Sequence, residues 1–170
     1  IQPNRSPLAR QVYIISKRIM DLTILLIFLP LLLPLFLLCA LLIKIDSPDG
    51  AVMFTQKRTG QGGRTFRMYK FRTMVPNAEE LKKELAHLNE LQWPDFKITK
   101  DPRITRVGKF LRKTSLDELP QLLNVLKNEM SFVGPRPTSF GAHTYDLWQT
   151  ERLDVQPGIL GLWQLYGRGT

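Results

Sequence analysis

The sequence predicts an α+β domain that is mostly helical and embedded in a membrane from one side. Three observations lead there. Leu22 to Ile43 is an uncharged run of 22 residues interrupted by Pro30 and Pro34. Two short strand-like stretches flank a glycine cluster and read as a small β-hairpin. The other periodic stretches have helical spacing and basic faces, as interfacial amphipathic helices would.

The apolar run comes first. At about 1.5 Å per residue it is long enough to cross a bilayer core of roughly 30 Å. Each proline removes a backbone donor and crowds the preceding turn, which predicts a break. Both flanks are basic: Lys17 and Arg18 precede the run, and Lys44, Lys57, Arg58, Arg64, Arg67, Lys70 and Arg72 follow it. The bias of Lys and Arg toward the cytoplasm then keeps both ends on one side. A broken, re-entrant helix satisfies both observations better than a simple span or a buried soluble helix. Ahead of it, Val12, Ile15 and Ile19 recur at helical spacing over 11–21, a helix that starts in the interface.

Asp46 to Gly50 has the composition of a turn. Residues 52–56 and 65–72 read as strands, the second alternating apolar and basic residues. The glycines between them are too loosely placed for a phosphate-binding fingerprint. Residues 77–90 and 103–113 read as helices, the latter with Lys109, Arg112 and Lys113 on its basic side. Residues 131–141 contain Gly134, Pro135 and Pro137 and read as a loop. Residues 143–153 read as a helix with Tyr145 and Trp148 as interface anchors.

Composition narrows the function. The 170 residues carry a net charge of +9 and are 44% apolar. That favours an anionic partner, such as a phospholipid surface, a phosphorylated substrate or a nucleic acid. No nucleic-acid module is recognisable. The single cysteine, Cys39, excludes a disulfide framework and a cysteine zinc site.

The chemistry concentrates at Ser115-Leu116-Asp117-Glu118-Leu119-Pro120. Ser115 with Glu118 three residues on forms a capping-box pattern, which predicts a helix from Leu116. Asp117 and Glu118 then fall in the first turn, where the helix terminus and the nearby Arg112 and Lys113 favour ionised carboxylates. One such carboxylate can attack phosphorus while its neighbour holds Mg²⁺. The same two acids would stabilise a helix start with no chemistry at all, and spacing leaves both readings open. Arg136, stiffened between two prolines, can grip a phosphate with paired hydrogen bonds.

Four ordered motifs then decide the matter. They are Lys70-Phe71-Arg72-Thr73-Met74; Ser115 to Gln121; Met130 to Pro137; and Pro157-Gly158-Ile159 with Gly167-Arg168. Together they resemble the bacterial sugar transferase family, the monotopic phosphoglycosyl transferases, from about Lys17 to Thr170. The resemblance implies an enzyme that moves a sugar 1-phosphate from a UDP-sugar donor to undecaprenyl phosphate and releases UMP. That is the first membrane step of capsule, O-antigen or exopolysaccharide assembly. It implies Asp117 as nucleophile, Glu118 with Asp117 as the Mg²⁺ site, and Arg136, Arg112, Lys70 and Arg72 as phosphate-binding residues. Arg168 becomes a substrate-binding residue. The expected location is the cytoplasmic face of a bacterial inner membrane, with phospholipid as a further partner, no nucleic acid, and a homodimer left open.

Two departures stand out. Leu33-Pro34 replaces the family's frequent Ser-Pro at the helix break, with Pro30 in addition. The sequence also stops soon after Arg168, where relatives continue. The domain plan is a linker or upstream remnant at 1–10, the interfacial and re-entrant helix at 11–45, and a catalytic domain at 46–170 that is truncated at its C-terminus. The competing reading is a non-enzymatic basic membrane anchor or lipid-binding module.

Overall fold

The computed structural model describes residues 6–90, 98–139 and 150–161. The elements, in order, are α1 (Pro7–Asp46), β1 (Met53–Thr59), β2 (Thr65–Phe71), α2 (Ala78–Glu84), α3 (Arg106–Thr114), α4 (Leu122–Leu126), β3 (Ser131–Val133) and β4 (Gly158–Leu160), with 3₁₀ turns between several of them. They fall into two compact units. One comprises the described parts of Ile1–Pro34, Thr55–Tyr69 and Pro120–Thr170; the other is formed by Leu35–Phe54 and Lys70–Leu119.

α1 unites the two helical pieces expected at 11–21 and 22–43. It is helical throughout its 40 residues, with Pro30 and Pro34 inside it. A proline deletes one hydrogen bond of the ladder, and the bonds on either side can carry the helix past it. At about 1.5 Å per residue the helix measures about 60 Å, roughly twice a bilayer core. Its most apolar 18-residue window has mean hydropathy 3.0 and is only 11% buried among the described residues.

The unit that begins with Leu35 is built on Cys39, Ile43, Phe71 and Leu111, with Phe36, Val52, Val107, Leu116 and Leu119 packed against them. Phe36 and Phe71 meet as tilted rings with centroids 4.7 Å apart. α3 starts here for legible reasons. The Thr105 side chain accepts the Gly108 N–H, and Asp46 Oδ2 accepts the Val107 N–H at 3.0 Å. Those are two of the donors a helix start leaves unpaired. The helix expected at 103–113 therefore begins later, because Ile104 is engaged in an antiparallel bridge with Met74.

The other unit has its core at Met68, Val125 and Met130, flanked by Phe66, Phe132 and Ile159. Fully buried Asn124 organises it. Its Oδ1 accepts the Tyr69 N–H at 3.0 Å, and its Nδ2 donates to the Arg67 carbonyl and to Glu129 Oε2, both at 2.7 Å. Polar residues of α1 serve the same unit. Lys17 Nζ donates to Ser131 Oγ and the Val133 carbonyl, Arg18 to the Val125 and Leu126 carbonyls, and buried Asp21 accepts the Phe132 N–H.

The hairpin β1–β2 matches expectation within a few residues. The stretch 131–141, expected to be loop throughout, differs. Ser131–Val133 is β3, paired in parallel with β4, Ser131 opposite Gly158 and Val133 opposite Leu160. Two three-residue strands are too short to produce a periodic signal. The helix expected at 77–90 is shorter, α2 followed by a 3₁₀ turn at Leu85–Leu88. Of the helix expected at 143–153, residues 143–149, with Tyr145 and Trp148, lie outside the described residues.

Candidate functional site

Four of the residues singled out in the sequence meet within one unit. Lys70 arrives on β2 beside Phe71. Successive strand residues face opposite ways, so burying Phe71 in the core turns Lys70 outward. Its Nζ lies 2.9 Å from Glu118 Oε1 and 3.7 Å from Asp117 Oδ2.

The carboxylates are presented differently from the capping-box expectation. Ser115 closes α3 in the left-handed conformation, φ 61°, rather than opening a new α-helix. Leu116–Gln121 then forms a 3₁₀ turn, with α4 starting only at Leu122. Residues i and i+3 eclipse in a 3₁₀ helix. Leu116 and Leu119 therefore share the face that packs into the core, and Asp117 and Glu118 are carried to the other side.

Arg112 approaches from the last turn of α3, where a cation suits the helix terminus. Its Nε–H donates to Thr73 Oγ1 at 2.8 Å. The main chain of Thr73 is fixed as well. Its carbonyl accepts the Thr105 N–H at 3.1 Å and lies so near Gly108 that an added Cβ would come within 2.1 Å of it. Glycine at 108 is what lets α3 dock this closely, and with it the Arg112 guanidinium. Thr73 was quoted in the sequence only as part of a motif; its role as the support of Arg112 depends on a fold contact that spacing does not reveal.

The electrostatics correct the expectation of a readily ionised nucleophile. Asp117 is held above its ordinary value, first by burial, with Glu118 adding repulsion; Lys70, Arg112 and its own N–H pull the other way. Burial outweighs the short 3₁₀ start because water is removed from the carboxylate while the nearest ammonium stays 3.7 Å off. Partial desolvation draws Arg112 down against the pull of Asp117 and Asp101, yet a guanidinium remains charged. A carboxylate of raised basicity, once ionised, is the better nucleophile.

A second acid in the same unit went unnoticed in the sequence. Asp101 is buried with Arg103 in a two-pronged pair, Nη2 to Oδ2 at 2.6 Å and Nε to Oδ1 at 2.9 Å. Arg103 also donates to the Ala78 carbonyl at 3.2 Å. The only signal was an Asp and an Arg two residues apart around Pro102.

Arg72 is placed less openly than a phosphate ligand would be. Its Nη2 donates to the Ser47 carbonyl at 2.5 Å, and Nη1 is buried against Gly50 without a hydrogen-bond partner among the described residues. Arg136 is exposed and belongs to the other unit, on a cleft that also includes Arg152. Arg168 lies outside the described residues.

Among the described residues no three His, Cys, Asp or Glu side chains converge as a metal cage. Asp117 and Glu118 nonetheless supply adjacent hard oxygen donors. That fits Mg²⁺, which binds through one or two carboxylates and takes its other ligands from phosphates and water.

A half-buried acid pair beside a lysine and an arginine is an arrangement able to handle anions. The comparisons give the class a narrower form. The chain matches the model of the bacterial sugar transferase family over residues 12–170 and belongs to that family. It is 46% identical to the galactosyl transferase CpsE of Streptococcus agalactiae, over 92% of this chain and 34% of the relative. It is 42% identical to the exopolysaccharide production protein ExoY of Sinorhizobium fredii, over 98% of this chain and 75% of the relative. An undecaprenyl-phosphate galactose phosphotransferase of Salmonella typhimurium is 48% identical over 74% of this chain and 27% of the relative. The chain thus spans about a third or less of two of these three relatives.

Proposed function

We propose that this chain is the catalytic domain of a phosphoglycosyl transferase that moves a sugar 1-phosphate from a UDP-sugar to undecaprenyl phosphate. The observation that carries the reading is the Lys70–Asp117–Glu118–Arg112 cluster, in a chain of the sugar transferase family. The relative named an undecaprenyl-phosphate galactose phosphotransferase supports the choice of acceptor.

In this reading ionised Asp117 attacks the sugar-bearing phosphorus of the donor. The new O–P bond forms as the bond to the UMP oxygen breaks, leaving a phosphosugar on Asp117. An oxygen of undecaprenyl phosphate then attacks the same phosphorus, frees Asp117, and gives a lipid-linked sugar diphosphate. Lys70 and Arg112 lower the cost of ionising Asp117 and face the charge of the incoming phosphates. Thr73 keeps Arg112 aimed. Asp117 and Glu118 would hold Mg²⁺, which when bound offsets phosphate charge.

The setting is the cytoplasmic face of a bacterial inner membrane. Exposed side chains along α1, with Leu26, Ile27 and Leu31 each 66% exposed, would be covered by lipid. A re-entrant path, with α1 bent at Pro30 and Pro34, would keep its basic flanks on one side. The decisive experiment incubates the protein with a panel of labelled UDP-sugars, without acceptor, and looks by mass spectrometry for a phosphosugar on Asp117. An adduct on another residue, or continued release of UMP by Asp117→Asn in the presence of undecaprenyl phosphate, would overturn the assignment of the nucleophile.

A further inference from the structure

The β3–β4 ladder ties together two arginine-bearing stretches that are far apart in sequence. The Ser131 N–H donates to the Pro157 carbonyl at 2.9 Å, the Gly134 N–H to the Leu160 carbonyl at 3.0 Å, and the Gly158 N–H to the Pro135 carbonyl at 2.9 Å. The backbones touch: a Cβ on Gly158 would stand 2.0 Å from the Gly134 nitrogen. The hairpin fastens both stretches from a third side. The Thr59 N–H donates to the Thr138 carbonyl at 3.1 Å, and Gln61 Nε2 to the Asp154 carbonyl at 2.9 Å.

These contacts border a shallow surface cleft whose lining includes Gly60, Pro135, Arg136, Arg152 and Pro157. Among the described residues, no carboxylate lines it. Two guanidinium groups on one proline-walled surface attract anions, and each can meet a phosphate with two parallel hydrogen bonds.

We infer that Arg152 joins Arg136 to form a two-arginine phosphate clamp. The inference rests on the proposed function for its substrates, both of which carry phosphate: the soluble nucleotide donor and the polyprenyl acceptor. Pro157-Gly158-Ile159 acquires a role with it. That motif is the splint holding the Arg152 stretch against the Arg136 loop.

The test uses the full protein in lipid nanodiscs, with Arg152→Gln, Arg136→Gln, the double variant and Arg152→Lys. Dissociation constants are measured for UMP, farnesyl phosphate and inorganic pyrophosphate, and circular dichroism checks that each variant is folded. Arg152→Gln weakens pyrophosphate and one of the two organic probes about tenfold. Arg152→Lys recovers part of that loss as a point charge. The double variant loses less than the product of the single losses, because one ligand is shared. Loss for UMP assigns the clamp to the donor; loss for farnesyl phosphate assigns it to the acceptor. The clamp is overturned if folded Arg152→Gln binds all three probes within twofold of wild type, or if the two single losses multiply. The two hypotheses fail separately. An Asp117 adduct with no effect at Arg152 sinks the clamp alone, whereas loss of pyrophosphate binding without any adduct sinks the transfer mechanism alone.

Discussion

Asp101 and Asp117 lie in the same unit, each beside a cation, and their acidities move in opposite directions. Asp101 is held below its ordinary value, chiefly by its side-chain hydrogen bonds to Arg103. Asp117 is pushed above its ordinary value, chiefly by burial. The difference lies in the partner. A guanidinium fork at 2.6 and 2.9 Å occupies both Asp101 oxygens, whereas the nearest ammonium to Asp117 is 3.7 Å away and closer to Glu118. Among the described residues, one acid is paired at both oxygens and the other has only the more distant Lys70 as an ion-pair partner. A satisfied carboxylate stabilises the fold, and an under-satisfied one retains the basicity that nucleophilic attack requires.

That contrast can be tested by substitution, beginning with the largest effect. Asp117→Asn should abolish adduct formation and lower turnover by roughly 10⁴-fold or more, as loss of a nucleophile commonly does. UMP release measures it. Asp101→Asn should leave the nucleophile in place but destabilise the protein by about 3–5 kcal/mol, because Arg103 would be buried without its counter-charge. Denaturant unfolding reads that loss, and replacing the pair by Leu and Met should recover much of it. If Asp101→Asn instead left stability intact and removed activity, the division of labour between the two acids would be wrong.

Lys70→Met removes the largest influence pulling Asp117 down. The acid limb of the kcat/KM profile should move to higher pH, since ionised Asp117 becomes rarer at any given pH. Thr73→Val frees the Arg112 Nε–H; a loss of roughly 1 kcal/mol, about fivefold, is expected mainly in KM.

The smallest effect is in pH-dependent stability, and the two acids again differ in sign. Asp117 binds its proton more tightly in the folded state. Its ionisation therefore costs stability as pH rises through the window between the unfolded value of about 3.9 and the raised folded one. Asp117→Asn should raise Tm above that window and lose the advantage below it. Asp101 contributes stability above about pH 3.9 that disappears as pH falls through its depressed folded value. Thermal melts of each Asn variant across pH measure both.

The sequence revealed the members of the site more readily than their supports. Asp117, Glu118 and Lys70 stood in recognisable motifs and Arg112 on the basic approach to one of them, and the structure gathers all four. Strand alternation and the hairpin were also legible, because Phe66, Met68 and their basic neighbours alternate over enough residues. Ser115 misled, because a residue that can cap a following helix can also close the preceding one in the left-handed region, and only the packing of Leu116 and Leu119 chooses. β3 and β4 were hidden by their length, and with them the juxtaposition of Arg136 and Arg152. The Asp101–Arg103 pair was hidden because burial, not spacing, makes it matter.

Lys17, Arg18 and Asp21 give α1 a further property in the proposed lipid setting. Each is spent on a backbone or hydroxyl group of the α4–β3 segment. Sliding α1 by one turn, about 5.4 Å, would strand these three side chains and orphan the carbonyls of Val125, Leu126 and Val133. Exposing such groups to hydrocarbon costs about 2.5–3.5 kcal/mol for each charge at mid-bilayer depth. The trio thus acts as a register pin. It sets one register of the helix against this unit, and so fixes the height of the Arg136 loop along α1.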